Sequence, residues 1–191
     1  MRTYPLTIYD AIKPSSKWAE IPLLMSFNLL LVLSSYVAIE LPFSPVPITG
    51  QTFGVLLMAM ALGRIRGTAV VMAYLLEGLA GFPVFAEGRM GLTVLFGPTG
   101  GYLIGFAAAA YVTGHLAERG WHRSIFTAVG AMLAGGVVIY ACGLAWLSRF
   151  VPSSSVLATG LVPFLPGEAI KMAVASCVLP GVWRLTGLYR R

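Results

Sequence analysis

Residues 80–101 read AGFPVFAEGRMGLTVLFGPTGG, a stretch too rich in glycine and proline for one helix, yet set between apolar runs of membrane-spanning character. It carries both Glu87 and Arg89. Irregular backbone at or near a bilayer survives only where protein or a water-filled cavity satisfies its N–H and C=O groups, so the stretch reads as the lining or lid of a site. The composition around it agrees. Of 191 residues, 58% are apolar and only 10% are charged, whereas about a quarter of residues are charged in soluble domains. The chain therefore reads as an integral membrane protein. A span takes roughly 20 apolar residues, which leaves room for about six helices and no separate soluble ATPase or nucleic-acid module.

Outward from 80–101, glycine and proline punctuate the apolar runs. The first run, 22–39, opens with Pro22, tolerated in a first helical turn, and closes before LPFSPVPIT at 41–49, whose three prolines forbid a continuous helix and predict a rigid loop. A second helix is expected over 49–62, cut short by GRIRG, and a third over 68–79. Beyond the opening stretch, 101–116 gives a fourth helix, AERGWHR a polar turn, 124–150 a long fifth and 166–183 a sixth. The expected fold class is all-α, a polytopic membrane protein with one integral membrane domain over 1–191. Its helical bundle occupies 20–183, and the polar segment 1–19, which lacks the build of a secretory signal, stays cytoplasmic.

The net charge of +6 reports orientation rather than a nucleic-acid partner. With sides alternating at each span, Arg2, Lys13, Lys17, Arg64, Arg66, Arg119, Arg123, Arg184, Arg190 and Arg191 share one face, cytoplasmic by the positive-inside rule. Arg89, Arg149 and Lys171 fall on or toward the other. Both termini are then cytoplasmic, and LPFSPVPIT, 80–101 and VPSSSVLATGLVPFLPGE (151–168) converge on the outer face.

Glu168 and Lys171, in LPFLPGEAIK, stand at i, i+3 and share one helical face. Ionisable groups at membrane depth mark a pathway or ligand site; a structural ion pair with the lysine snorkelling to the interface is the other reading. In a site, the glutamate would accept from ligand N–H groups and the lysine would donate to a carbonyl or carboxylate, with Pro166 fixing the helix start. Arg89 can grip a carboxylate through two parallel hydrogen bonds, unless Glu87 simply neutralises it. Gln51 offers donor and acceptor to an amide or urea. Glu40 and Glu77, near helix ends, are assigned to the membrane interface, and Cys142 and Cys177 to buried thiols. No catalytic or metal-binding constellation is found: HExxH is absent, His115 and His122 lie near the cytoplasmic turn, and no serine has the GxSG context of an intramembrane protease. GPTGG also lacks the Lys-Ser/Thr of a phosphate loop. The chain does not read as an enzyme.

Taken together and in order, LPFSPVPITGQT, GFPVFAEGRMGLTVLFGPTGGY and LPFLPGEAIK resemble the BioY family of biotin transporters, over about residues 23–179. The resemblance implies a prokaryotic cell-membrane protein of six helices with a biotin pocket near the outer face. It implies the substrate-binding component of an energy-coupling-factor (ECF) importer, with a membrane scaffold subunit and two ATPase subunits as partners. No cofactor is implied, since biotin is the transported ligand and ATP is hydrolysed by the partners. The family also admits action without that module, as a homo-oligomer.

By position, the resemblance places Glu168 and Lys171 beside the ureido head of biotin, with Glu in place of the more usual Asp. Gln51 matches the glutamine after PVPIT, Arg89 a ligand-contacting position, and Tyr102 closes GPTGGY. Where some members carry an arginine just after that tyrosine, this chain has Leu103, so Arg89 is expected to hold the carboxylate. Phe43, Phe82, Phe85 and Tyr102 are candidate walls, with ordinary core or lipid-facing packing the other reading. Ser34, Ser35 and Ala38 would form the small-residue seam that docks the scaffold. A binding subunit for another vitamin and a non-transporting membrane scaffold are the other functions open at this level.

Overall fold

The computed structural model describes residues 7–12, 14 and 16–185. Arg2, Lys13, Arg190 and Arg191, which carry part of the expected charge asymmetry, lie outside the described residues, as do the side chains of Lys17 and Arg184. The chain runs α1 (Ile8–Ile12), α2 (Lys17–Tyr36), β1 (Ala38–Leu41), β2 (Ser44–Thr49), α3 (Gln51–Leu62), α4 (Arg64–Leu79), α5 (Leu92–Leu95), α6 (Gly100–Glu118), α7 (Ile125–Leu147), α8 (Val156–Gly160) and α9 (Leu165–Leu185). The helices α2, α3, α4, α6, α7 and α9 correspond to the six apolar runs. Trp18–Tyr36, Ile125–Leu147 and Ser153–Ala175 are each long and apolar enough to cross a membrane, while α3 is apolar but short.

The fold is mostly helical rather than all-helical, because LPFSPVPIT is not a loop. β1 and β2 form an antiparallel hairpin that pairs Ala38 with Thr49, Ile39 with Ile48 and Leu41 with Ser44. Its register slips at Glu40, which faces Pro45, Val46 and Pro47 together; the prolines have no N–H to give to a ladder. Ser44 pins the hairpin to α8, donating to the Thr159 carbonyl at 2.8 Å.

Helix ends also differ from expectation where side chains cap them. Ser16 accepts the Trp18 N–H at 3.2 Å and starts α2 at Lys17, which leaves Pro22 inside the helix. Gly63 alone, at φ 80°, breaks the chain between α3 and α4, so Arg64 to Arg66 of GRIRG already belong to α4. Glu118, at the end of α6, accepts the Arg64 N–H at 2.9 Å and pairs with the Arg64 side chain at 3.2 Å, capping α4 across the bundle.

Helix contacts are made close by small residues. The most extensive pair is α6 against α7, where a Cβ on Gly101 would overlap Trp146 and one on Gly143 would overlap the Tyr102 ring. Small residues four apart, such as Gly101 and Gly105, allow such approach where lipid offers no hydrophobic drive between helices. The serines of α2 serve the same purpose inside the molecule, which corrects the expected docking seam. Ser35 is buried and donates to the Val84 carbonyl at 2.7 Å, Ser34 packs on Gly54 of α3, and Ala38 belongs to β1. Cys142 is half-buried and Cys177 exposed, so neither thiol sits in the core.

The bundle has two chemically distinct ends. At one, Arg66 meets Glu20 at 2.8 Å and lies 3.9 Å above the Tyr9 ring, beside the Arg64–Glu118 pair. At the other, the three irregular segments line one cavity, through Val46, Phe85 and Phe164 among others, and neighbouring helices pin two of them: Trp146 Nε1 donates to the Gly97 carbonyl at 2.9 Å, Tyr102 Oη to that of Gly160 at 2.8 Å, and Tyr36 Oη to that of Pro83.

Candidate ligand-binding site

Pro166 lies in the first turn of α9, and Glu168 follows it, buried at 4% exposure. Lys171, one turn on, directs its ammonium to three acceptors: Glu168 Oε1 at 2.7 Å, the Thr49 carbonyl at 2.6 Å and Thr52 Oγ1 at 3.0 Å. The Thr52 hydroxyl in turn donates to Glu168 Oε1 at 2.7 Å. A buried ion pair is tolerated only when its remaining protons and lone pairs are matched, and here each ammonium proton has a partner. The expected i, i+3 pair is present, but Lys171 stands behind Glu168 and outside the cavity lining rather than reaching into it.

Glu168 and Thr52 line a narrow cavity of about 50 Å³, which widens to about 610 Å³ only when the open space out to its mouth is counted. Gln51 joins them, buried, with Nε2 donating to Tyr74 Oη at 2.5 Å and Oε1 accepting from Thr49 Oγ1 at 3.1 Å. The walls are apolar and aromatic, with Phe85, Tyr102, Phe106 and Phe164 prominent. Phe85 packs edge-on to Tyr74 at 5.5 Å, in space left by Gly78, where an added Cβ would overlap its ring. Phe43, in the turn of the hairpin, and Phe82 are both exposed and lie outside this lining, which corrects their assignment as walls.

Arg89 lines the same cavity and also an open depression beside the hairpin, so it stands at the mouth. Its Nη2 meets Glu87 Oε2 at 2.5 Å and Glu40 Oε1 at 2.9 Å. Glu87 adopts φ 61°, a left-handed conformation uncommon outside glycine, next to Gly88 at φ 71°. Glu40 is thus no solitary interface residue: its carboxylate bridges the hairpin to the 80–99 segment.

Several contributors were not singled out from sequence. Thr52 adjoins Gln51 and could have been found as the next hydroxyl at the same helix start. Tyr140, a lone phenol inside an apolar run, packs edge-on to Tyr102 at 6.1 Å and lies near enough to Glu168 to interact with it. Phe164 gave no signal apart from its neighbours. The completed arrangement offers a buried acceptor, an apolar barrel of rings and a cation at the entrance. It suits a small molecule with N–H donors at one end and an anion at the other.

The fold and cavity define a mostly helical membrane protein with an apolar pocket among its helices. Residues 11–187 match the BioY family, and the chain belongs to it. Its relatives include the biotin transporter BioY of Thermotoga maritima, 41% identical over 153 residues that cover 80% of this chain and 88% of that protein. Those of Rhodobacter capsulatus (39% identical, covering 80% and 86%) and Rhizobium etli (38%, covering 72% and 78%) are similar. The crystal structure of the S-component for biotin from an ECF-type ABC transporter superposes with a TM-score of 0.78 at 25% identity, covering 90% of this chain and 95% of that one.

Proposed function

We propose that this chain binds biotin and carries it across a prokaryotic cell membrane as the substrate-binding subunit of an ECF-type importer. The observation that carries the reading is the pairing of a buried Glu168, held at Oε1 by Thr52 and Lys171, with an Arg89 at the mouth of one apolar cavity. Biotin presents a urea, an apolar bicycle and chain, and a carboxylate in that order. Glu168 accepts from a ureido N–H, with Lys171 holding it in place and Gln51 adding an amide beside it. Phe85 and Tyr102 pack against the apolar body, and Arg89 takes the carboxylate that Leu103 cannot hold. Phe43 has no place in this set.

Six helices cross the membrane in this reading, with both termini cytoplasmic and the pocket opening near the outer face. The grouping of Arg64 and Arg66 at the end of the bundle away from the cavity supports that orientation. Transport requires no cofactor and no bond-making step in this chain; a scaffold subunit and two ATPases supply the energy, and a homo-oligomer acting alone is the other arrangement. The similarity to an ECF S-component supports the first of these. The test is titration of the purified, detergent-solubilised protein with biotin, using desthiobiotin, riboflavin and thiamine as competitors. Selective biotin binding is expected; binding of another vitamin, or of none, overturns the reading.

A further inference from the structure

Arg89 faces the cavity already engaged by Glu87 and Glu40, so an arriving carboxylate meets a guanidinium flanked by two others. The two are held differently. The Glu87 side chain is 25% exposed and comes from a left-handed backbone position beside glycine, which aims it at Arg89. The Glu40 side chain is 71% exposed and stands at the register slip of the hairpin, opposite prolines that cannot tie its strand down. Such irregularities re-aim side chains away from the ladder. Glu40 also lines, with Leu41, Pro42, Ser44 and Arg89, an open depression of about 540 Å³, which gives it room to withdraw. It is the carboxylate that another can replace.

We propose that Glu40 is a built-in competitor for Arg89, holding the guanidinium until the ligand's carboxylate displaces it, and so setting how tightly an anionic ligand is bound and how fast it leaves. The inference rests on Arg89 receiving the biotin carboxylate, as proposed above. One carboxylate is exchanged for another, so the local charge at Arg89 is unchanged while Glu40 moves into solvent. A neutral biotin amide makes no claim on Arg89 and leaves the Glu40 pair intact.

The test is titration of the wild type, Glu40→Gln, Arg89→Ala and the double variant Glu40→Gln, Arg89→Ala with biotin and with a neutral biotin amide. Glu40→Gln should bind biotin roughly two- to fivefold more tightly, the range that an exposed ion pair spans, and release it more slowly. Its affinity for the amide should match that of the wild type, which also shows that the variant is folded. The gain should vanish when Arg89 is absent. Unchanged or weaker biotin binding by Glu40→Gln, an equal gain for the amide, or a gain that persists without Arg89 each overturns the assignment alone. A wild type that binds no biotin overturns it together with the functional reading.

Discussion

Thr52 and Glu168, 116 residues apart, meet through a 2.7 Å hydrogen bond in which the threonine hydroxyl donates to Oε1. Because the same oxygen of Thr52 accepts from Lys171, one side chain ties the start of α3 to the start of α9 and fixes the carboxylate that lines the cavity.

Thr52→Val keeps the shape and removes the hydroxyl, leaving Glu168 one donor short and Lys171 one acceptor short. Hydrogen bonds to charged groups contribute about 1.5–3 kcal/mol, so stability should fall by about that amount and biotin affinity with it. Thr52→Ser should restore both. Thermal unfolding in detergent and calorimetric titration read the two effects, and wild-type affinity in Thr52→Val would detach Glu168's placement from Thr52.

Arg89→Ala should cost biotin roughly 10- to 100-fold in affinity, from the loss of a charge-assisted contact, and a neutral biotin amide far less. Competition between the two ligands measures the ratio. Equal losses would mean that another group receives the carboxylate.

Gly143→Ala places a methyl group in the Tyr102 ring, which lines the cavity and is anchored to Gly160. Overpacking of this kind costs about 1–3 kcal/mol, so both melting temperature and biotin affinity should drop. Gly167→Ala, on the first turn of α9 with nothing within 4 Å of the new carbon, should be neutral or raise stability by about 0.5–1 kcal/mol. Identical behaviour of the two variants would contradict the close contact of α6 with α7.

His122, in the turn between α6 and α7, is fully buried with Nδ1 2.8 Å from the Ala117 carbonyl, and burial, helped by the charge of Arg123, lowers its pKa to about 4. An unfolded histidine titrates near about 6.5, so the unfolded chain binds the proton first as pH falls. The neutral ring's contribution is therefore complete above about pH 6.5 and is lost progressively toward pH 4. Melting temperature measured from pH 7 to 4.5 should fall more steeply for the wild type than for His122→Asn. Parallel slopes would refute the assignment.

The helices were legible because glycine and proline mark their ends within long apolar runs, and Glu168 with Lys171 because a three-residue spacing needs no tertiary knowledge. The hairpin was not, since three prolines in nine residues argue against strands; the register slip at Glu40 is how the backbone accommodates two of them. Long-range partners were equally silent: nothing local links Glu40 to Arg89 across 49 residues. Ser34 and Ser35 show the limit of reading small residues as an external seam, because the sequence gives their spacing but not that Gly54 faces one and Val84 the other.

At 12 residues, α3 extends about 18 Å, well short of a hydrocarbon core about 30 Å thick. It can be so brief because all but Phe53 and Leu57 are enclosed by neighbouring helices. Gly50 sets where it begins, since a Cβ there would press to 2.7 Å from the Ser34 carbonyl, and the pocket opens beside that starting point, against Gln51 and Thr52. The floor of the pocket is therefore a helix start seated by backbone contact rather than by its own side chains, and a bulkier residue at position 50 would displace Gln51 and Thr52 together without touching either.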